Sequence, residues 1–156
     1  MNTKDLAKSA IIATLYVALT FVSAFFGLAS GAVQIRISEA LTVLPLFTTA
    51  AIPGLTIGCM LSNILTGCAL WDIVFGTLAT FLGAIGTRLL KKNKYLSVIP
   101  PVFFNTLIIP FVLRLVYGVD EMLPYLFFTV GIGEIISCGI LGIILIKYLE
   151  KHNKIF

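Results

Sequence analysis

Apolar residues run almost unbroken over six stretches, at 9–28, 39–52, 54–70, 72–90, 95–116 and 123–146, with charges, prolines and glycines gathered between them. Each is near the roughly 17–25 residues that a helix needs to cross the hydrocarbon core of a bilayer, or slightly shorter. The pattern predicts an all-α integral membrane protein of about six transmembrane helices, with residues 1–156 forming a single domain. The second and third stretches, parted by Pro53 and Gly54, are short enough to be tilted, interfacial or re-entrant. Ahead of them, Val33-Gln34-Ile35-Arg36-Ile37-Ser38-Glu39 alternates apolar and polar residues, the period of an extended connection.

Loop charge sets an orientation. Lys4 and Lys8 precede the first helix, Arg88, Lys91, Lys92 and Lys94 follow the fourth, and Lys147, Lys151 and Lys154 follow the sixth. An even number of crossings puts all three groups on one side, and positive loops stay cytoplasmic, so both termini are expected inside. The opposite side receives Arg36 and Arg114 together with Glu39, Asp72, Asp120 and Glu121.

Composition agrees with the pattern. The chain is 59% hydrophobic and 12% charged, with a mean hydropathy of +1.07. A soluble core of this size cannot hide so much apolar surface, so lipid must cover the remainder. The first stretch is too long for a signal-peptide core and reads as a permanent helix. A net charge of +4 belongs to cytoplasmic loops rather than to a nucleic-acid surface. Cys59, Cys68 and Cys138 lie in apolar runs without metal-ligand spacing, which supports neither a disulfide framework nor a metal site. With no GxxxxGK[ST] sequence, nucleotide hydrolysis has to come from partners. His152, the one histidine, lies in the tail, and no nucleophile–base constellation accompanies the carboxylates, so an enzyme is the remote reading.

Ionisable groups at membrane depth cost roughly 2.5–3.5 kcal/mol on insertion scales. Glu134 stands about 16 Å from the outer end of its run at the rise of an α-helix, near the midplane. It is the first candidate for a ligand-binding carboxylate, against the plainer role of a paired or neutral carboxyl between helices. Gly131 and Gly133 before it allow close approach of a ligand or a backbone. Asn63 and Asn105 fall at similar depth, and their amides suit either a heterocycle edge or helix-to-helix hydrogen bonds. The segment at 33–39 reads either as an outer lid that Gln34 and Arg36 close or as a plain connection in which Arg36 is solvated or paired nearby. Ser38 and Glu39 have an alternative role at the N-terminus of the second helix, and Asp72 at that of the fourth. Trp71 is either an interfacial anchor or a stacking platform. Ser9, Ala10, Ala13, Thr14 and Ala18 keep one stretch of the first helix slim, for internal packing or for a partner.

Taken together, VQIRISEALTVLP at 33–45, GLTIGCMLSN at 54–63, LWDIVFGTLATFLGA at 70–84 and GIGEIISCGILG at 131–142 resemble the QueT family. These are substrate-binding S components of energy-coupling factor (ECF) transporters, associated with queuosine precursors. The resemblance implies a six-helix S component in the plasma membrane that joins a transmembrane coupling subunit and two ATPases. The chain itself would need no cofactor, ATP and Mg being used by the ATPases. The implied ligands are 7-deazaguanines: 7-cyano-7-deazaguanine, 7-aminomethyl-7-deazaguanine or queuine. A carboxylate that accepts in parallel from the ring N–H and the exocyclic amine suits them, with Glu134 the first candidate and Glu39 the second. Asn63 and Asn105 would read the carbonyl and ring nitrogens, Trp71 would stack, and Asp72 would meet an amine substituent. S components commonly dock through AxxxA on the first helix, for which Ser9-x-x-x-Ala13 and Ala10-x-x-x-Thr14 are the nearest equivalents. The rival reading is a proton-coupled homodimeric transporter that uses Glu134 at the midplane.

Overall fold

The computed structural model describes residues 2–28 and 33–152, and the described residues form helices joined by short turns and one extended strap. Lys154, one of the predicted cytoplasmic charges, lies outside them. The first helix is Thr3–Phe25, the second segment Ile37–Leu46, the third helix Ala51–Leu65 and the fourth Leu70–Leu89. The fifth covers Leu96–Leu115 and the sixth Leu123–Lys151. The first, fourth, fifth and sixth are long and apolar enough to cross a membrane, whereas the second and third are shorter. Large apolar side chains such as Ile11, Phe103, Phe128 and Ile144 are exposed around the outside, while Glu39, Asn63, Asn105 and Glu134 are buried. That inversion suits a lipid surround.

Three sequence expectations change: one helix break and two helix caps. Pro53 and Gly54 do not separate two helices; they fall in the first turn of the third, where a missing proline N–H costs no intrahelical bond. The break falls earlier, in the turn after Leu46. Asp72 is not the cap of the fourth helix either: Ala69 holds that position, and Asp72 lies within the first turn. Nor does Ser38 cap the second segment, since Arg36 is the capping residue and makes no side-chain cap bond; Ser38 Oγ accepts from Thr20 instead, at 2.9 Å.

The second segment is the structural surprise. It is a 3₁₀ helix of ten residues, and all of Ser38–Pro45 is buried. At the 3₁₀ rise it runs about 20 Å, enclosed by the first, fourth and sixth helices rather than facing lipid. Arg88 Nη1 ends it by donating to the carbonyls of Pro45 and Leu46, at 3.0 and 3.2 Å. Orphan carbonyls at a helix C-terminus are stabilised by such a cation.

Small residues bring the remaining helices together. A Cβ built on Gly54 would lie 2.8 Å from the Ser9 carbonyl oxygen, and one on Gly58 would lie 2.8 Å from Tyr16 Cβ. The third helix therefore lies directly on the first, as small-xxx-small faces allow. Leu55 and Cys59 beside these glycines join Ile12, Tyr16, Leu41 and Leu44 in the apolar core. Lys94 Nζ, in the turn before the fifth helix, meets Glu150 near the end of the sixth at 2.7 Å with both side chains partly exposed, and that hydrogen bond raises the Lys94 pKa above its ordinary value.

Candidate functional site

The strap that leads into the second segment crosses the mouth of a polar pocket. Ile35 N–H donates to the Leu28 carbonyl at 2.8 Å, Arg36 N–H to Ser137 Oγ at 3.1 Å and Ile37 N–H to Ser23 Oγ at 2.8 Å. These bonds stitch extended backbone to the first and sixth helices. Gly133 makes room for it: a side chain there would run into the Gln34 carbonyl. The sixth helix changes form at the same level, with a π-helical stretch at Ile135–Leu141 that carries Ser137 and Cys138. Such stretches widen a helix and commonly mark functional sites.

Beneath the strap, Gln34, Arg36, Glu39, Cys59, Gly76, Thr80, Asn105, Ile109, Val130 and Glu134 line a pocket whose free volume is about 20 Å³. That is room for about one water-sized group. Asn105 Nδ2 donates to Glu134 Oε2 at 3.4 Å, and Cys138 Sγ lies 3.2 Å from the same oxygen. Tyr16 donates its hydroxyl hydrogen to Glu39 Oε1. Glu39, Glu134 and Cys138 each bring a donor atom within 4.8 Å of the others. The 3₁₀ segment causes this proximity, because it carries Glu39 inward from the strap to the level of Glu134. Arg36 lines the pocket but forms no ion pair with either carboxylate; the pair found among the described residues is Lys94–Glu150.

The eight ligand-site candidates do not all converge. Gln34, Arg36, Glu39, Asn105 and Glu134 share the pocket. Asn63 stands behind it, with Nδ2 3.7 Å from Cys59 Sγ and next to Gly76, two residues of the lining. Asp72 is engaged elsewhere: its Oδ2 accepts from the Tyr117 hydroxyl at 2.8 Å, and that hydroxyl accepts from the Ala69 amide at 3.1 Å. Burial, together with the Asp72 acceptor, pushes the Tyr117 hydroxyl up to about 12, so it stays a donor at neutral pH. Trp71 is 58% exposed and stacks on Phe75 at 5.9 Å, on an apolar groove between the fourth and fifth helices. It does not reach the pocket. Sequence reasoning missed Tyr16, Thr80 and the two thiols; a tyrosine hydroxyl in the middle of an apolar helix was the available signal, since a buried one needs a partner.

The docking candidates divide by face. Ser9 and Ala13 are buried, Ser9 Oγ donating to the Ala50 carbonyl at 2.7 Å and Ala13 lying against Gly58. Ala10, Thr14 and Ala18 are exposed on the opposite side.

Helices with an apolar exterior and polar side chains buried between them define a helical membrane protein. The chain belongs to the QueT transporter family, whose model matches residues 6–151. A relative described as "Queuosine precursor transporter QueT", from Lactococcus lactis subsp. cremoris, is 36% identical over 95 residues. That match covers 60% of this chain and 55% of the relative's length. No solved structure matches the chain.

Proposed function

We propose that this chain captures a queuosine precursor of the 7-deazaguanine type from outside the plasma membrane, as the S component of an ECF importer. The observation that carries the reading is the pocket itself: Glu134, Glu39, Asn105 and Arg36 brought together under a strap, inside helices whose outer faces suit lipid. The family and the relative's printed name supply the solute class. Glu134 would accept from the ring N–H and exocyclic amine of the base, and Asn105 would turn its amide from Glu134 to the ligand. A pocket with room for about one water has to widen before a flat ring enters, so the strap Val33–Arg36 is the part that lifts. Both termini would lie in the cytoplasm, where ATP and Mg are used by two separate ATPases. The exposed stripe Ala10, Thr14 and Ala18 is the face left for the coupling subunit.

Calorimetry of the purified protein with deazaguanines tests the reading. The native chain should bind, and Glu134→Gln, which puts a donor where the ligand presents donors, should weaken binding about 10-fold to 150-fold, with folding intact. Equal affinity in the two proteins would remove Glu134 from recognition.

A further inference from the structure

We infer that the groove between the fifth and sixth helices is a site for an anionic phospholipid, with an acyl chain along the groove and the headgroup phosphate at Lys147. The polar pocket plays no part in it, so the inference stands whatever solute that pocket takes.

Three observations carry it. First, the groove is a built feature of the bundle. Val102, Phe103 and Thr106 form one wall and Gly131, Ile135 and Gly139 the other, around a free volume of about 590 Å³. The hydroxyl oxygen of Thr106 is buried, so the surface offered to an occupant is almost wholly apolar. Second, the two glycines answer no steric need inside the fold. A Cβ on Gly139 would meet nothing nearer than the Ile135 side chain at 3.8 Å, and one on Gly131 nothing nearer than Thr106 Cγ2 at 3.4 Å. A Cβ on Gly54, Gly58 or Gly83 would instead come within 2.8 Å of a neighbouring helix. Glycine weakens a helix relative to alanine, and the effect of Gly131 and Gly139 is a deeper groove.

Third, charge decides the occupant. Gly139, Ile143 and Lys147 are spaced four apart and follow one face of the sixth helix. Helical side chains lean toward the N-terminus of their helix, which turns the Lys147 ammonium back toward a groove that ends about 12 Å away. Lys147 is exposed and makes no hydrogen bond or ion pair among the described residues. The contact of Lys94 with Glu150 gathers a basic cluster around it, since Lys91 and Lys92 stand beside Lys94, and Lys151 beside Glu150. Tyr95, 55% exposed, stands one turn before Ile99 of the groove, at the level where interfacial rings sit. An apolar groove that ends at unpaired lysines matches both halves of an anionic phospholipid.

The test reads lipid occupancy by fluorescence. Trp71 is the single tryptophan of the chain, so a variant combining Trp71→Phe with Phe103→Trp moves the one indole into the groove. It is reconstituted in phosphatidylcholine vesicles with increasing fractions of phosphatidylglycerol, one lipid or the other carrying bromine on its acyl chains as a quencher. Phosphatidylglycerol should be preferred about fivefold, and Lys147→Gln in the same background should bring the preference within about twofold. Gly139→Leu fills the groove without touching the interior and keeps every lysine. It should abolish the preference as well, which separates a seated lipid from diffuse attraction to a basic face. The native indole at Trp71, toward the opposite end of the bundle, should show no preference. Equal quenching by the two lipids, a preference that survives either substitution, or the same preference at native Trp71 overturns the inference. Quenching by neither lipid also overturns it, since a second copy or another helix then covers the groove.

Discussion

Tyr16 and Glu39 form the contact on which the pocket floor depends. Tyr16 is 1% exposed, and its hydroxyl is the donor that holds Glu39 Oε1. Removing it leaves a buried carboxylate with neither oxygen partnered, and a hydrogen bond to a charged group is worth about 1.5–3 kcal/mol. Tyr16→Phe should therefore lower thermal stability in detergent, by a shift well outside that of an exposed change such as Leu15→Ala. An unchanged melting temperature would mean that Glu39 finds another donor. At this scale the sequence was informative about depth and poor about direction. Glu134 and Asn105 were legible as intramembrane polar groups because each interrupts a long apolar run, and they meet in the pocket. Trp71 and Asp72 were not, because residue type does not show which side of a helix a position occupies. Trp71 faces an apolar groove, and Asp72 finds a hydroxyl from a distant loop, 45 residues along the chain.

The elements that were hardest to read make the site. Hydropathy measures how apolar a run is, and a run enclosed by protein scores like one facing lipid. The second segment looked like a short membrane helix for that reason, yet Ser38–Pro45 is wholly internal. The strap before it was legible, since its two-residue alternation marks extended backbone, and Arg36 is extended at φ −108 and ψ 105. What alternation does not reveal is the surface beneath, and here that surface includes Gly133. Gly133→Val should push the strap off the sixth helix. Limited proteolysis between Val33 and Arg36 should then quicken and ligand affinity fall, with the helical circular dichroism signal retained. Cleavage and affinity like those of the native chain would show that the strap tolerates the added bulk and that its seat is not tight. The π-helical stretch at Ile135–Leu141 had no signal in the spacing of apolar residues, because the run is apolar on all sides.

For the whole molecule, the positions of the slim faces decide which changes disturb the fold and which disturb assembly. Ser9 and Ala13 belong to the internal contact with the third helix, so Ala13→Leu would drive into Gly58 and damage the protein itself. Thr14 is exposed, and its hydroxyl is turned back to the Ala10 carbonyl at 2.9 Å. A leucine there adds bulk outside the fold, where a close helix partner would have to make room. Thr14→Leu should leave ligand affinity within about twofold and reduce copurification of the coupling subunit and ATPases. Full assembly by that variant would move the docking face elsewhere.

Under the proposed function this chain holds the solute and its partners supply the energy. Uptake of labelled 7-aminomethyl-7-deazaguanine into proteoliposomes tests it most directly, comparing the chain by itself with the chain joined to a coupling subunit and two ATPases. Binding without accumulation is expected of the chain in isolation, and accumulation that requires internal-side ATP is expected once the partners are present. Concentrative uptake by the isolated chain under a proton gradient would contradict it and would favour a carrier that works through Glu134 unaided.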